Sequence, residues 1–148
     1  MHFFSELFQN KVLIIAILAW FVAQVLKVLI TLIKEKKFDF TRFVGSGGMP
    51  SSHSSFSMAL TTSIGKMYGW SSPLFAVSLS FSLIVMYDAA GVRRAAGKQA
   101  EILNKIVHDI HANKKITEER LKELVGHTPK EVIMGAILGV IIANLLYY

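Results

Sequence analysis

The stretch between the first two apolar segments of the chain reads Gly45-Ser46-Gly47-Gly48-Met49-Pro50-Ser51-Ser52-His53-Ser54-Ser55. A bilayer would leave the backbone groups of such a stretch without partners, so it must lie at the membrane surface or line a wet pocket. Glycines, hydroxyls and a histidine at the start of a helix also form a suitable cradle for a phosphate group. The stretch therefore indicates chemistry on a polar ligand beside a membrane.

The composition is that of a small membrane protein. Its 148 residues fit one domain, and a hydrophobic content of 53% with a mean hydropathy of +0.48 is too apolar for most soluble domains. The absence of cysteine from the sequence excludes disulfides, thiol catalysis and thiolate metal sites. A net charge of +6 beside long apolar segments favours anionic lipid, rather than nucleic acid, as the partner.

Four apolar segments are long enough, or nearly so, to cross a bilayer. They predict an all-α integral membrane bundle of about four transmembrane helices within a single domain over residues 1–148. The second segment is the weakest because serines, threonines and Lys66 interrupt it, and three spans remain if it only dips into the membrane. The predicted spans are 11–33, 54–70, 73–89 and 131–148.

Lysine and arginine are distributed unequally between the two faces of this bundle. With four spans, the connections 34–53 and 90–130 share one face and carry 13 of the 16 basic residues. The positive-inside rule makes that face cytoplasmic and puts both termini outside. We therefore expect a multi-pass protein of the cell membrane whose polar site faces the cytoplasm.

The long connection 90–130 is expected to hold two short amphipathic helices on the inner membrane surface. The second of them is indicated by Thr117, followed by two glutamates, and ends at Gly126. The first is indicated by apolar residues at helical spacing, namely Ile102, Leu103, Ile106, Val107 and Ile110.

His108 and His111 raise the question of a metal site on the first of these helices. Histidines three residues apart on a helix can share one ion, but no strong third ligand accompanies them in the sequence. We therefore expect a solvated helix face there, and we predict neither a metal nor another cofactor.

Four polar clusters are expected to meet at the cytoplasmic face. A phosphate site requires cations with directed donors, backbone N–H groups at a helix start, and groups that move protons or accept a phosphoryl. The clusters together contain all of these parts. They are Lys27 with Arg42, residues 50–53, Asp88 with Arg93 and Arg94, and His127 with Glu131.

Several of these residues also have a structural explanation. Lys27 can extend its ammonium group to the membrane interface, and the arginines can anchor the topology on lipid headgroups. Ser51 or Ser52 can cap the second segment. Likewise, Gly135-x-x-x-Gly139 allows close helix packing whatever the function.

Glu131 has the clearest structural explanation, because Thr128-Pro129-Lys130-Glu131 is a capping box with proline at the first helical position. That explanation leaves His127 without a structural need. A histidine just before a helix that carries a carboxylate is well placed to be held and charged by it. Glu131 can cap the helix and hold His127 at the same time only if one position of its carboxylate serves both.

Three motifs resemble those of one membrane enzyme superfamily. Pro50-Ser51-Ser52-His53 resembles the Pro-Ser-Gly-His motif of type 2 phosphatidic acid phosphatases, which are relatives of vanadium-dependent haloperoxidases. The stretches 47–54, 88–94 and 126–132 are similar to the divergent branch of that superfamily. The resemblance covers nearly the whole chain.

The resemblance implies a role for each cluster. His127 resembles a nucleophile that forms a phosphohistidine, Glu131 the acid that orients it, and His53 the general acid that protonates the leaving group. Asp88 has no counterpart and can pair with an active-site arginine or tune a histidine. The residues implied to bind phosphate are Lys27, Arg42, Ser51, Ser52, Arg93 and Arg94.

The implied activity is removal of phosphate from a lipid phosphate monoester, such as phosphatidate or phosphatidylglycerol phosphate, without a metal. Fewer spans than the family core suggest a homodimer that completes the helix packing. The chain departs from the pattern at Ser52, at Glu131 and in the 32 residues between Arg94 and His127. Two alternatives therefore stay open: a non-catalytic protein that binds lipid headgroups or anions, and a small transporter component.

Overall fold

The computed structural model describes residues 2–36, 48–111 and 126–147, and within these ranges the chain is helical, without a strand. This confirms the predicted all-α architecture. The helices of the described residues are α1 (His2–Gln9), α2 (Lys11–Glu35), α3 (Ser52–Tyr68), α4 (Pro73–Ala90), α5 (Val92–His111) and α6 (Pro129–Leu146).

Three stretches of the described chain are long and apolar enough to cross a membrane, as judged by length and composition. They are Lys11–Ile33, Pro73–His108 and Pro129–Leu146, the second of which runs through both α4 and α5. The remaining long helix, α3, has 17 residues and is much more polar. A membrane helical bundle is thus confirmed, whereas the count of four spans stays a prediction.

α3 lies at the centre of the bundle, where it packs against α2, α4 and α6. Its buried face is rich in hydroxyl groups, and these bond to neighbouring helices: Ser55 Oγ donates to the Ala19 carbonyl at 3.0 Å. Ser82 Oγ of α4 donates to the Ser57 carbonyl at 2.9 Å. Buried hydroxyls are tolerated when they are bonded in this way. Most serines and threonines that weaken this segment in the sequence therefore face protein, although the buried Ser63 Oγ has no hydrogen-bond partner among the described residues.

α6 approaches α3 closely at Gly135 and Gly139. A Cβ added at either glycine would collide with a backbone carbonyl of α3, that of Ser51 or that of Ser55. This close packing matches the expectation for the Gly-x-x-x-Gly pattern. It brings the first turns of α3 and α6 side by side, where the Ser51 N–H donates to the Glu131 carbonyl at 3.0 Å.

The opposite end of the same helix pair is closed by Lys66. Its ammonium group donates to the carbonyls of Asn144 at 3.4 Å and Tyr147 at 3.2 Å, at the C-terminal end of α6. A cation beside the last carbonyls of a helix is favourable because those groups lack intrahelical partners.

α5 follows α4 directly after Gly91 and, among the described helices, contacts only α4. It confirms the first helix expected in the long connection, and Ile102, Leu103 and Ile106 are exposed along it. Its location on the membrane surface stays a prediction. The second expected helix, from Thr117 to Gly126, lies outside the described residues apart from Gly126 itself.

Candidate functional site

Described residues of three predicted polar clusters lie at one end of the bundle, where α3 and α6 begin and α4 ends. They are Lys27, residues 50–53, and His127 with Glu131. Two backbone hydrogen bonds tie these elements together. The His127 N–H donates to the Ala89 carbonyl of α4 at 2.9 Å, and the Ser51 N–H donates to the Glu131 carbonyl at 3.0 Å. Residues distant in the sequence therefore hold a fixed position relative to one another.

His127 and Glu131 are joined through the cap of α6. Glu131 Oε2 accepts the Thr128 N–H at 2.9 Å and lies 3.3 Å from His127 Nδ1. In return the Glu131 N–H donates to Thr128 Oγ1 at 3.4 Å, which completes the predicted capping box. A single carboxylate oxygen therefore caps the helix and orients the imidazole, so the two uses of Glu131 agree.

His127 is almost fully buried, with 2% of its surface exposed. Its Nε2 is buried and, among the described residues, has no hydrogen-bond partner. Buried polar atoms in proteins are nearly always paired, so an unpaired one requires an explanation. With the Nδ1 proton directed at Glu131, a neutral ring presents its lone pair at Nε2.

Burial lowers the pKa of His127 below its ordinary value of about 6.5. The positive charge of Lys27 acts in the same direction, whereas the carboxylate of Glu131 and the carbonyl of Gly48 favour the protonated ring. Desolvation dominates because it penalises the charged form of a buried group. The imidazole is therefore neutral at pH 7, the state that a nucleophile requires.

His53 lies in the first turn of α3 and is exposed. Its ring centroid is 6.3 Å from that of His127, with an angle of 62° between the ring planes. Ser51 caps this helix, as predicted, by accepting the Ser54 N–H at 3.4 Å and the Ser54 hydroxyl at 3.0 Å. The positive end of a helix dipole thus points at the space beside the two rings.

Lys27 of α2 is buried, with 1% of its surface exposed. Its Nζ donates to Gln24 Oε1 at 2.8 Å, and it is close enough to His127 to depress the pKa of that ring. Burial within the bundle contradicts the alternative in which this side chain extends to the membrane interface. An ionisable residue buried inside a membrane helix is more often functional than structural.

Gly48 lies between Lys27 and His127. A Cβ at this position would come within 3.2 Å of Lys27 Cγ, and the residue adopts a φ of +83°, which favours glycine. From the sequence, Gly48 was expected only as one glycine of the phosphate cradle, and Gln24 had no expected role. Only the spacing of Gln24, three residues before Lys27 on one helix, could have indicated its pairing with the lysine.

The other predicted site residues have less defined positions. Arg42 lies outside the described residues, and so do the side chains of Arg93 and Arg94, whose backbone opens α5. Asp88 is half-buried in the last turn of α4, beside the carbonyl that receives His127, and Ser52 is buried at the start of α3.

The structure thus brings His53, His127, Glu131 and Lys27 to one site, whereas the arginines stay predictions. Within the described part of the chain, no three His, Asp or Glu side chains form a group that could hold a metal ion. Among the described residues of this site, Lys27 supplies a buried ammonium group.

The sequence profile of a family described as "Divergent PAP2 family" matches residues 8–142, which include every residue of this site. The chain belongs to that family. The resemblance based on the motifs at 47–54, 88–94 and 126–132 is thereby confirmed.

A relative of this divergent PAP2 protein is described as "Uncharacterized membrane protein YuiD" from Bacillus subtilis (strain 168). It is 42% identical over 154 aligned residues, which cover 97% of this chain and 98% of the relative. No solved structure matches the chain. Together with the three candidate spans, the relative supports a location in a membrane.

Proposed function

We propose that this divergent PAP2 protein is a phosphatase that removes phosphate from a lipid phosphate monoester through a phosphohistidine intermediate. The observation that carries the proposal is the state of His127. Its ring is buried, neutral at pH 7 and oriented by Glu131, and its Nε2 has no partner in the described chain. Such an atom costs stability unless a ligand or a reaction uses it.

In the first step, the lone pair on His127 Nε2 attacks phosphorus and forms the N–P bond. The bond between phosphorus and the ester oxygen breaks, and the oxygen leaves with the electron pair and takes a proton from protonated His53. Glu131 stabilises the positive charge that develops on the imidazole. The separation of 6.3 Å between the two ring centroids allows one phosphoryl group to meet both rings.

The charge on the phosphoryl oxygens must be held as the group is transferred. The buried ammonium of Lys27 supplies one fixed cation. The first turn of α3 supplies the Ser52 N–H and the positive end of a helix dipole, whereas the Ser51 N–H is already bound to the Glu131 carbonyl. We include Arg42 and Arg93 or Arg94 as the further cations, which together perform the electrostatic task that a metal performs in other phosphatases.

In the second step, water attacks the phosphohistidine and gives its proton to His53, which is now neutral. The N–P bond breaks, the electron pair returns to Nε2, and inorganic phosphate leaves. Atoms and charges then return to the starting state. Because the same histidine donates a proton and then accepts one, it must reach both the leaving group and water, and the exposed position of His53 allows this.

A lipid substrate follows from where the site lies. It is built at the ends of apolar helices, beside the connections that carry most of the basic residues, and such residues favour the cytoplasmic side of a membrane. We therefore propose that the site faces the cytoplasm and acts on membrane phospholipid phosphates, and that two copies of the chain associate.

The test is phosphate release by the purified protein in lipid nanodiscs, with phosphatidate as substrate and a chelator present. We expect turnover in the natural chain and in His108→Ala, a control at an exposed histidine far along α5. We expect loss of turnover in His127→Ala and His53→Ala. Equal turnover in all four proteins would contradict the proposal, and binding without turnover would favour the anion-binding alternative.

A further inference from the structure

An apolar groove opens beside His53, between α2, α3 and α4. It has a volume of about 370 Å³. Among the described residues that line it, His53 and Ser57 are polar and the others are Ile17, Trp20, Phe56, Phe81 and Val85. The groove therefore offers hydrocarbon contacts along its length and a histidine at one end.

The groove extends from the site toward the middle of the bundle. On α4, Val85 and Phe81 precede Ala89 by four and eight residues, which at 1.5 Å per residue puts them about 6 and 12 Å from the carbonyl that receives His127. On α2, Trp20 precedes Lys27 by seven residues, or about 10 Å. The lining residues are thus on the segments proposed to cross the hydrocarbon layer.

The groove is open to the side rather than enclosed. Ile17, Trp20 and Phe81 are among the large apolar side chains that stay exposed on the bundle surface. In a membrane this surface faces lipid, so a hydrocarbon chain can move into the groove from within the bilayer without crossing water.

A larger cavity of about 630 Å³ lies at the other end of the bundle. Its lining includes Glu6, Asn10 and Lys11, and it contains none of the predicted site residues. It therefore lacks the continuity with the site that the groove beside His53 has, and its lining mixes charged and amide side chains with apolar ones.

We propose that the groove between α2, α3 and α4 binds one hydrocarbon chain of the phosphate ester and makes the protein select long-chain over short-chain esters. This inference rests on the proposed function. The oxygen that His53 protonates is the atom that joins phosphate to the rest of the substrate. The chain must therefore depart from the phosphate on the His53 side, and the groove begins at that residue.

The benefit of the groove is orientation rather than extraction from water, because a lipid chain is already in hydrocarbon before it binds. A chain held along α4 directs the ester oxygen away from His127, as an in-line displacement requires. Correct placement of reacting groups affects rates strongly, and a small displacement can reduce them by about a hundredfold.

The test compares butyl and dodecyl phosphate as substrates of the protein in nanodiscs. In the natural chain we expect kcat/KM to be higher for dodecyl phosphate. Val85→Phe fills the groove and should lower the dodecyl-to-butyl ratio by about tenfold, since a displaced chain misplaces the ester oxygen. The matched control is Leu83→Phe on the same helix, at an exposed position outside the groove and on the other side of α4 from Phe81 and Val85, and it should leave the ratio unchanged.

An unchanged ratio in Val85→Phe, or the same fall in Leu83→Phe, would contradict the proposed role of the groove while leaving the proposed function intact. A second measurement needs no turnover: dodecyl phosphate with a photoreactive group at the end of its chain is activated on the natural protein. We expect labels on Phe81, Val85 and Trp20. Labels spread evenly over the bundle surface, or a crosslink between two chains at this groove, would overturn the inference even if no ester is hydrolysed.

Discussion

α3 and α6 begin in similar ways and hold their histidines in opposite ways. A hydroxyl group caps each helix, Ser51 for α3 and Thr128 for α6. His127 precedes its cap, is buried and contacts Glu131, whereas His53 follows its cap and is exposed. The first turn of α6 therefore holds the ring of His127 through Glu131, whereas the first turn of α3 leaves the ring of His53 exposed.

This difference matches the two tasks that we assign. A nucleophile must present one nitrogen in one direction, which the bond from Nδ1 to the carboxylate achieves. A general acid must reach the leaving group first and water afterwards, which requires exposure. If the two histidines have these different roles, substitutions at His127 and His53 should differ in their effects, and the largest effect is expected at His127.

The largest effect is expected at the enclosed histidine. His127→Ala should reduce phosphate release by at least about a thousandfold for every ester, because no other described group presents a lone pair at that place. Release is measured with phosphatidate and with p-nitrophenyl phosphate. Activity within tenfold of the natural chain on either substrate would contradict the assignment.

The effect of His53→Ala on phosphate release should depend on the leaving group. We expect a loss of about a hundredfold or more with phosphatidate, whose alcohol leaves only when protonated. With p-nitrophenyl phosphate the loss should be much smaller, since nitrophenolate leaves without a proton. Equal losses on the two esters would show that His53 does not act as the acid.

Glu131→Gln should separate the role of Glu131 in orienting His127 from its role in capping α6. We expect kcat to fall by about a hundredfold with little change in KM, because the amide cannot stabilise the imidazolium that forms during attack. The matched variant Thr128→Ala removes the cap hydroxyl and keeps the carboxylate. If both variants lost the same activity, Glu131 would act only through the fold.

The pH dependence follows from the lowered pKa of His127. Neutral imidazole is the reactive form of His127, so the acidic limb of the kcat/KM profile should lie below about pH 6.5. Glu131 favours the charged ring, so Glu131→Gln should move this acidic decline to still lower pH. An acidic decline centred above pH 6.5 in the natural chain would contradict burial as the dominant cause.

The smallest effect concerns stability. Thr128→Ala should lower the free energy of unfolding by about 1 kcal/mol, the usual result of losing an N-cap hydroxyl. Ser51→Ala should destabilise the start of α3 by a similar amount. Thermal unfolding in detergent measures both, and a much larger loss for Thr128→Ala alone would indicate that the cap also holds the site together.

Local features were predictable from the sequence because a few neighbouring residues determine them. The capping box at Thr128 and Glu131, the cap at Ser51 and the helical pattern around Ile106 all concern residues within one or two turns. The helix boundaries were also close to those of the predicted segments: Lys11–Glu35 for 11–33, and Pro73–Ala90 for 73–89. α3 and α6 each begin two residues earlier than expected.

Most features that depend on packing between distant helices were not predictable, and the close approach at Gly135 and Gly139 is an exception. The burial of Lys27 depends on Gly48 and on the bundle around α2, and no single segment specifies it. In the sequence, the serines and threonines of α3 indicate a weak membrane segment, because the partners of their hydroxyl groups, such as the Ala19 carbonyl, lie on other helices. The contact of His127 with the end of α4 likewise joins residues far apart in the chain.

The central claim is that His127 carries the phosphoryl group. The most direct test incubates the protein with phosphatidate labelled in its phosphate, quenches it in alkali, and identifies the labelled residue by peptide mapping. We expect an alkali-stable, acid-labile label on the peptide that contains His127, present in His108→Ala and absent from His127→Ala. Turnover with a label on His53, or with no label on histidine at any quench time, would contradict the account.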